Sequence, residues 1–250
     1  MRTVTLGFPL IHLPSVDSTN KYAAAILHKE NATEGTVILA DVQTRGKGQG
    51  DNIWLSDNGL NLLFSLILKP DFLPAYKQFY LSMCIATGLY DCLADLGIRS
   101  QVKWPNDILI KGKKVAGILI ENTILSQNLN SSIVGIGLNV NQVSFPPGIP
   151  NPSSLTGETG KSYDIGQLLE RLLPFFEKRL NQLYAEEFMA IKSQYLNCLW
   201  LLNTRVVFTD QKGVFEGRIV DVAESGELVI LTSAGETRMY GFKEVEFNEQ

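Results

Sequence analysis

The strongest candidate for chemistry is a pair of motifs joined by a short turn. Residues 103–107 read KWPND and residues 114–117 read KVAG. The Lys-Gly-Lys stretch at 111–113 between them has the composition of a hairpin turn. The pattern therefore predicts two neighbouring antiparallel strands that bring Asp107 and Lys114 close together.

Lys114 is the candidate catalytic cation of this hairpin. Strict alternation along the returning strand predicts that its side chain shares a face with Ala116, Ile118 and Ile120. An ammonium group on an apolar face is costly unless an anion compensates it. One interpretation is a lysine that binds an anionic substrate, and the other is an ordinary edge lysine beside a turn.

A second segment, Gln43–Trp54, mixes glycines with cationic and amide side chains. Glycines let a backbone approach a ligand closely and present its N–H groups. Arg45 and Lys47 add positive charge that suits a phosphate or a carboxylate, and Trp54 could stack on a base. The alternatives are a solvated flexible loop and a core role for the tryptophan.

Two further stretches could present polar groups to a ligand. Residues 17–20 read DSTN at the predicted start of a helix, where hydroxyls and free N–H groups can bind a polar head group. Helix capping is the alternative there. Residues 135–141 read GIGLNVN in a predicted strand, where glycines permit close ligand approach, and a bulge or tight packing is the alternative.

The sequence lacks the motifs of several enzyme classes. No Ser/His/Asp arrangement, P-loop or dinucleotide fingerprint is present. Cys84, Cys92 and Cys198 have no disulfide or metal-ligand spacing. No protein nucleophile is predicted, which suits a reaction in which the substrate itself supplies the nucleophile.

Composition narrows the class of partner. The 250 residues carry a formal net charge of -4, so no general electrostatic footprint for nucleic acid or anionic membrane is expected. The N-terminal residues show no signal-peptide pattern, and the longest apolar run, 62–68, is too short to span a bilayer. We therefore expect a cytoplasmic protein.

Helices and strands must position these motifs. Helices are predicted over 18–30, over 76–96, and from Asp164 to about Leu199 with an interruption near Pro174. Strands are predicted at 37–41, 61–69, 107–110, 114–123 and 132–141. From Asn203 the chain changes to short strands with tight turns, and strands are predicted at 205–209, 214–222, 227–232 and 236–240. The pattern predicts an α/β domain over 1–202 and a small barrel-type β module over 203–250.

Five short strings, in this order, resemble the catalytic domain of biotin–protein ligases. They are STN at 18–20, QTRGKGQ at 43–49, KWPND at 103–107, KVAGILIE at 114–121 and GIGLNVN at 135–141. The resemblance covers about residues 10–200, and the tail resembles the family's small SH3-like C-terminal domain. It implies a mixed β-sheet flanked by helices, related to class II aminoacyl-tRNA synthetases.

The resemblance also implies an activity and its residues. Biotin would be activated with ATP to biotinyl-5′-AMP and transferred to a lysine of a biotin carboxyl carrier protein, with Mg²⁺ accompanying the ATP and no metal ligands assigned. Catalytic roles would fall to Lys114, Lys47 and Asp107. Biotin would be bound by Ser18, Thr19, Asn20, Gln43, Gly46, Lys47, Lys114, Gly117 and Gly135. The nucleotide would be bound by Gln49, Trp54, Asn106, Asp107, Lys114 and Asn139, with residues 45–53 as a closing loop.

The sequence departs from the family pattern in that loop. The family often has GRGRRGR or GRGQRGN, whereas residues 46–52 read GKGQGDN, and lysine lacks the bidentate fork of arginine. Only 16 residues precede Asp17, so neither an N-terminal DNA-binding domain nor DNA binding is expected. A homodimer through the glycine-rich strand 132–141 stays open.

Two other functions are alternatives to a biotin–protein ligase. A lipoate or octanoate protein ligase shares the fold, but the RRxxGGG string typical of lipoate ligases is absent. A catalytically silent biotin-binding sensor is the other alternative, and the intact Lys114 and Asp107 argue against it.

Overall fold

A seven-stranded mixed sheet forms the centre of the computed structural model, which describes residues 3–29, 32–50 and 52–248. Its strands are β1 (Leu10–Leu13), β2 (Val37–Ala40), β3 (Leu62–Leu68), β4 (Gln101–Lys103), β5 (Asp107–Ile110), β6 (Lys113–Leu125) and β7 (Asn128–Leu138). They lie in the order β1-β2-β3-β7-β6-β5-β4. The β1–β2 pair is parallel and the other neighbours are antiparallel.

Helices cover both faces of this sheet. They are α1 (Thr19–Lys29), α2 (Phe79–Asp95), α3 (Leu155–Thr159), α4 (Ile165–Tyr184) and α5 (Phe188–Cys198). On one face α1 packs its Ala23 and Ile26 against β2, β3 and β7. On the other face α2 and α4 pack together, and Phe176 of α4 lies 6.3 Å from Phe64 of β3, centroid to centroid. All seven residues of β3 are buried because both faces of the strand are covered.

The boundaries of two elements differ from the sequence prediction. The helix that begins at Asp164 does not break near Pro174: α4 runs through it to Tyr184, and the interruption falls at 185–187, where Glu186 has φ of 55°. The apolar stripe of α4 on the core outweighs the single backbone hydrogen bond that a proline removes. Strand β7 begins at Asn128, four residues earlier than predicted, and ends at Leu138, so Asn139 lies beyond it. The last residue of the helix predicted over 18–30 lies outside the described residues.

The C-terminal residues form a second, antiparallel sheet. Its strands are β8 (Arg205–Asp210), β9 (Gly213–Val222), β10 (Leu228–Thr232), β11 (Thr237–Tyr240) and β12 (Val245–Asn248), in the order β11-β10-β9-β8-β12. The first four match the predicted strands, and β12 was not predicted. The self-contained pairing supports a separate module, although the division at 202/203 and the likeness to an SH3 barrel stay predictions.

Polar contacts join the two sheets. The indole Nε1 of Trp104 donates to the carbonyl of Gly226 at 2.9 Å, and the Tyr80 hydroxyl donates to Glu224 at 3.0 Å. Burial, together with this carboxylate, raises the pKa of Tyr80 to about 12. Apolar residues of the C-terminal sheet also belong to the main core cluster. Within the described ranges, no helix has the length and apolar character needed to cross a membrane.

Candidate active site

A β-bulge decides where the Lys114 side chain points. The register of β5 with β6 shifts because Ile108 pairs with Ala116 and Leu109 with Lys114, which leaves Val115 as an extra residue. The expectation that Lys114 shares a face with Ala116, Ile118 and Ile120 is therefore wrong. A Cβ atom on Gly117 would lie 3.5 Å from Cε of Lys114, so the lysine lies on the glycine side of β6, away from the core.

Lys114 already has an anionic partner within the protein. Its Nζ lies 2.7 Å from Oδ1 of Asp107, and both side chains are partly buried. The predicted hairpin thus brings the two residues together as expected. The same ammonium group lies 5.7 Å from the centre of the Trp54 ring. A carboxylate beside the lysine holds its ammonium group in place before any substrate arrives.

The glycines of β6 and β7 leave room for side chains of other elements to pack directly on these strands. The register is regular at Gly135 and Gly137, so neither of them marks a bulge. Gly117 and Gly137 are cross-strand partners, and Cβ atoms on them would lie 2.9 Å and 2.4 Å from the Trp54 ring. A Cβ atom on Gly135 would lie 2.3 Å from Oδ1 of Asn20. The bare strands therefore form a floor on which an indole ring and an amide lie directly.

A buried polar network fixes the start of α1. The backbone N–H and hydroxyl of Thr19 donate to Gln43 Oε1 at 2.8 Å and 3.1 Å. Ser65 Oγ lies 2.7 Å from both Thr19 Oγ1 and Asn20 Oδ1. The Asn20 amide donates to Glu121 at 2.7 Å. These contacts hold the predicted biotin-binding side chains in one geometry, which reduces the ordering that ligand binding would require.

The glycine-rich loop is folded back on itself. The Trp54 N–H donates to the Gly46 carbonyl at 3.0 Å, and the Gly48 N–H donates to the Asn52 carbonyl at 2.7 Å. Lys47 points toward β6, where its Nζ lies 3.4 Å from Oε1 of Glu121. Asp51, which stands where the family strings quoted above have glycine, lies outside the described residues.

These groups border a cavity of about 630 Å³. All of the residues predicted to bind biotin line it except Gly46, whose carbonyl is taken up in closing the loop. Of the residues predicted to bind the nucleotide, it is lined by Gln49, Trp54, Asn106, Asp107 and Lys114.

A second cavity, of about 560 Å³, adjoins the first. Trp54, Asp107 and Lys114 line both, while Asn139 and the loop 145–152 border only the second. The side chain of Asn139 is buried and donates to the Ser153 carbonyl at 2.9 Å, but its Oδ1 has no hydrogen-bond partner in the described part of the chain. The buried Nε1 of Trp54 also has none. Unpaired buried polar atoms are costly, so each of these two atoms favours contact with a ligand.

Asn106 has a structural task besides any contact with a ligand. Its Nδ2 donates to the Ile118 carbonyl at 2.7 Å, and its backbone carbonyl accepts from the Ile118 N–H at 2.9 Å. The side chain therefore ties the KWPND stretch to β6.

Some residues at the site were not singled out from the sequence. Ser65 had a signal, because it is a lone polar residue in an otherwise apolar buried strand. Glu121 ends the KVAGILIE string but was given no role. Phe242 and Lys243 come from the C-terminal sheet region, and no local pattern indicated that they would line the cavity.

A resident metal ion does not fit this donor set. The His, Cys, Asp and Glu side chains of the described residues form no group of three or more that could hold one. Asp107, the carboxylate of the hairpin, is paired with Lys114. Magnesium that accompanies ATP, as the resemblance implies, stays a prediction.

Comparison with known proteins places the chain in a family. The sequence model of the biotin/lipoate A/B protein ligase family matches residues 12–139. The bifunctional ligase/repressor BirA of Bacillus spizizenii is 34% identical over 96% of this chain and 74% of its own length. The chain belongs to the biotin/lipoate A/B protein ligase family.

Further relatives lie in the biotin branch of this family. The biotin–[acetyl-CoA-carboxylase] ligase of Paracoccus denitrificans is 32% identical over 89% of this chain and 94% of its own. The biotin protein ligase of Aquifex aeolicus, solved in complex with biotin and ATP, superposes with a TM-score of 0.79. It is 30% identical, over 96% of this chain and 99% of that one. The fold predicted from the sequence, a mixed sheet flanked by helices, is thereby confirmed.

Proposed function

We propose that the protein is an ATP-dependent biotin–protein ligase. It activates biotin as biotinyl-5′-AMP, with release of pyrophosphate, and transfers the biotinyl group to a lysine of a carrier protein. The observation that carries the proposal is the pair of adjoining cavities that share Trp54, Asp107 and Lys114. Two reactants can lie there with their reacting ends at one lysine.

The first step joins two anions, so it depends on charge and position. A biotin carboxylate oxygen attacks the α-phosphorus of ATP, an O–P bond forms, and the bond to pyrophosphate breaks. Lys114, held by Asp107, offers its ammonium group where negative charge grows on the phosphoryl oxygens. Lys47 can move from Glu121 to the same anions when the substrates bind.

The second step needs a nucleophile that the protein does not supply. The neutral amine of the carrier lysine attacks the carbonyl carbon of the mixed anhydride. A C–N bond forms, the C–O bond to AMP breaks, and the amine loses a proton to solvent. Until that lysine arrives, the folded glycine-rich loop can shield the anhydride from water.

The two ends of the site divide the binding roles. We assign biotin to the end bordered by Ser18, Thr19, Asn20, Gln43 and Gly135, where the polar network faces a glycine floor. We assign the nucleotide to the end bordered by Trp54 and Asn139, which have polar atoms without a partner among the described residues. Gln49, Asn106 and Gly117 lie between these ends on the wall of the first cavity.

The acceptor is a biotin carboxyl carrier domain, by analogy with relatives named as acetyl-CoA-carboxylase ligases. A cytoplasmic location agrees with three cysteines that are free and buried. A homodimer would need a surface other than the glycine-rich strand 132–141, because β7 already pairs with β3 on one side and with β6 on the other.

Mass spectrometry of a purified carrier domain tests the whole reaction. Incubation with the protein, MgATP and biotin should add one biotinyl group to one lysine, and replacing that lysine by arginine in the carrier should abolish the addition. Lipoate should not replace biotin. A carrier left unmodified by biotin, or modified by lipoate instead, would contradict the proposal.

A further inference from the structure

One lysine at the mouth of the first cavity comes from the C-terminal sheet region. Among the described residues, the cavity is lined by four lysines: Lys47, Lys103, Lys114 and Lys243. Lys47 pairs with Glu121 and Lys114 with Asp107, while Lys103 lies over the rings of Trp200 and Phe247.

Lys243 differs from the other three. Within the described part of the chain it has no carboxylate partner, and the contact its ammonium group makes is with the Phe242 ring at 5.7 Å. The side chain is exposed. It is therefore the cavity lysine whose charge no carboxylate of the described residues offsets.

The backbone around Lys243 is held in an unusual conformation. Its φ of 66° lies in the left-handed region that disfavours residues other than glycine. The turn is fixed because the Gly241 N–H donates to Glu244 Oε2 at 2.7 Å and the Glu244 N–H donates to the Gly241 carbonyl at 3.2 Å. The turn thus presents the lysine from a defined position rather than from a loose loop.

Lys243 also meets the glycine-rich loop. A Cβ atom on Gly50 would lie 3.1 Å from Nζ of Lys243. The tip of the loop and the C-terminal sheet region therefore converge on this ammonium group, at the rim of the cavity. An anion bound there would contact both parts of the molecule at once.

We infer that Lys243 binds the β- and γ-phosphates of ATP, and pyrophosphate after the reaction. The inference rests on the proposed function and names a nucleotide contact for the same site. Of the two substrates, ATP carries the larger negative charge, and that charge is concentrated in the phosphates beyond the reacting one. An unpaired, exposed ammonium at the rim suits this tail, whereas the polar network of α1 lies at the biotin end.

Direct binding measurements separate the polyphosphate from the rest of the substrates. ATP, AMP, pyrophosphate and biotin are titrated separately into the unaltered protein and into Lys243→Gln, Lys243→Arg and Lys212→Gln. Lys212 is an exposed lysine in the β8–β9 turn and serves as the matched control. Lys243→Gln should weaken ATP and pyrophosphate roughly tenfold. AMP and biotin should be unaffected, Lys243→Arg should restore most of the affinity, and the control should bind normally.

Other results would overturn the inference. Unchanged ATP affinity in Lys243→Gln would remove the contact, and equal weakening of ATP and AMP would place the lysine at the α-phosphate or the nucleoside. Weaker binding of biotin alone would place Lys243 at the biotin carboxylate instead. These titrations need no turnover, so they decide the role of Lys243 separately from the ligase activity. If the unaltered protein bound ATP but biotin supported no reaction, the proposed function would fail while the phosphate contact stood.

Discussion

At the scale of single residues, Lys114 depends on a feature that its sequence position does not reveal. Strict alternation would turn the side chain toward the core, and the bulge at Val115 turns it toward Gly117 and the cavity. Asp107 then compensates its charge at 2.7 Å. The lysine is thus an element of an ion pair and not an isolated cation on an apolar face.

Replacing Lys114 by alanine should lower the rate of adenylate formation by a factor on the order of 10²–10³, because the cation acts on charge that grows in the transition state. We expect the free energy of unfolding to fall by about 1 kcal/mol, since Asp107 loses its partner in a partly exposed setting. Lys114→Arg should also be slow, because a planar guanidinium is a poor substitute for a compact ammonium.

Single-turnover adenylation measures both variants. Lys178→Ala, an exposed position on α4, is the control and should leave the rate unchanged. Equal rates for the Lys114 and Lys178 variants would show that the catalytic cation lies elsewhere.

Sequence motifs identified many residues of the candidate site but not how they pair. The strings gave Asn20, Lys47 and the KVAGILIE stretch, yet the contacts of Asn20 and Lys47 with Glu121 join residues 101 and 74 positions apart. Such pairs depend on sheet order and register, and local spacing carries no information about either.

At the scale of elements, the glycine-rich loop is positioned by its own backbone. A Cβ atom on Gly46 would lie 2.4 Å from the carbonyl oxygen of Trp54, so the closed form of the loop requires glycine there. The pattern of glycines and basic side chains between Gln43 and Trp54 indicated a loop. It did not indicate that Gly46 closes the loop through Trp54 instead of facing the cavity.

Gly46→Ala should open the loop and let biotinyl-5′-AMP escape before transfer. We expect more free adenylate per turnover and slower carrier biotinylation, while the thermal unfolding midpoint changes little because the loop lies outside the main core. Chromatographic quantification of released adenylate provides the measurement.

Gly166→Ala is the matched substitution, because a Cβ atom there meets no atom closer than 3.4 Å. It should release no more adenylate than the unaltered protein. A Gly46→Ala protein that retained the adenylate equally well would contradict the role given to the loop.

Helix and strand boundaries show where local patterns fail. Proline chemistry favoured a break near Pro174, but the buried stripe of Leu168, Leu172, Phe176 and Leu180 keeps α4 continuous. The real break at 185–187 has no glycine or proline to mark it. Tertiary packing decides both positions, and the sequence pattern reports only the local preference.

At the scale of the whole molecule, partly buried polar contacts join the C-terminal sheet region to the larger part of the protein. Trp104 and Tyr80 of the larger part bond to Gly226 and Glu224 of the smaller. The sequence predicted two modules from a change in strand pattern, but it did not predict this contact or the cavity residues that the tail supplies.

Deleting residues 203–250 should leave a cooperatively folding core with weaker turnover. The stability should fall, because apolar surface that the C-terminal sheet covers becomes exposed to water and the hydrogen bonds from Trp104 and Tyr80 are lost. Denaturant unfolding of the truncated chain tests the division. Loss of cooperative unfolding would show that the C-terminal sheet is not a separate domain.

Alkaline pH should weaken the contact between Tyr80 and Glu224, which joins the C-terminal sheet region to the larger part of the protein. The pKa of Tyr80 is about 12, above its usual value of 10, because burial and Glu224 disfavour the phenolate. The folded state therefore keeps the proton longer than the unfolded state, so this stabilisation is complete below pH 10 and is lost between pH 10 and about 12. Unfolding curves across this range measure it, and Tyr80→Phe should lack that component. If the free energy of unfolding of Tyr80→Phe and of the unaltered protein had the same pH dependence, Tyr80 would not be the cause.

Biotin-dependent exchange of labelled pyrophosphate into ATP tests the central claim most directly, because it requires adenylate formation and no carrier. The account predicts exchange with biotin and ATP alone, none with lipoate, and almost none in Lys114→Ala. Exchange that required lipoate, or none with either acid, would contradict the claim that this site activates biotin.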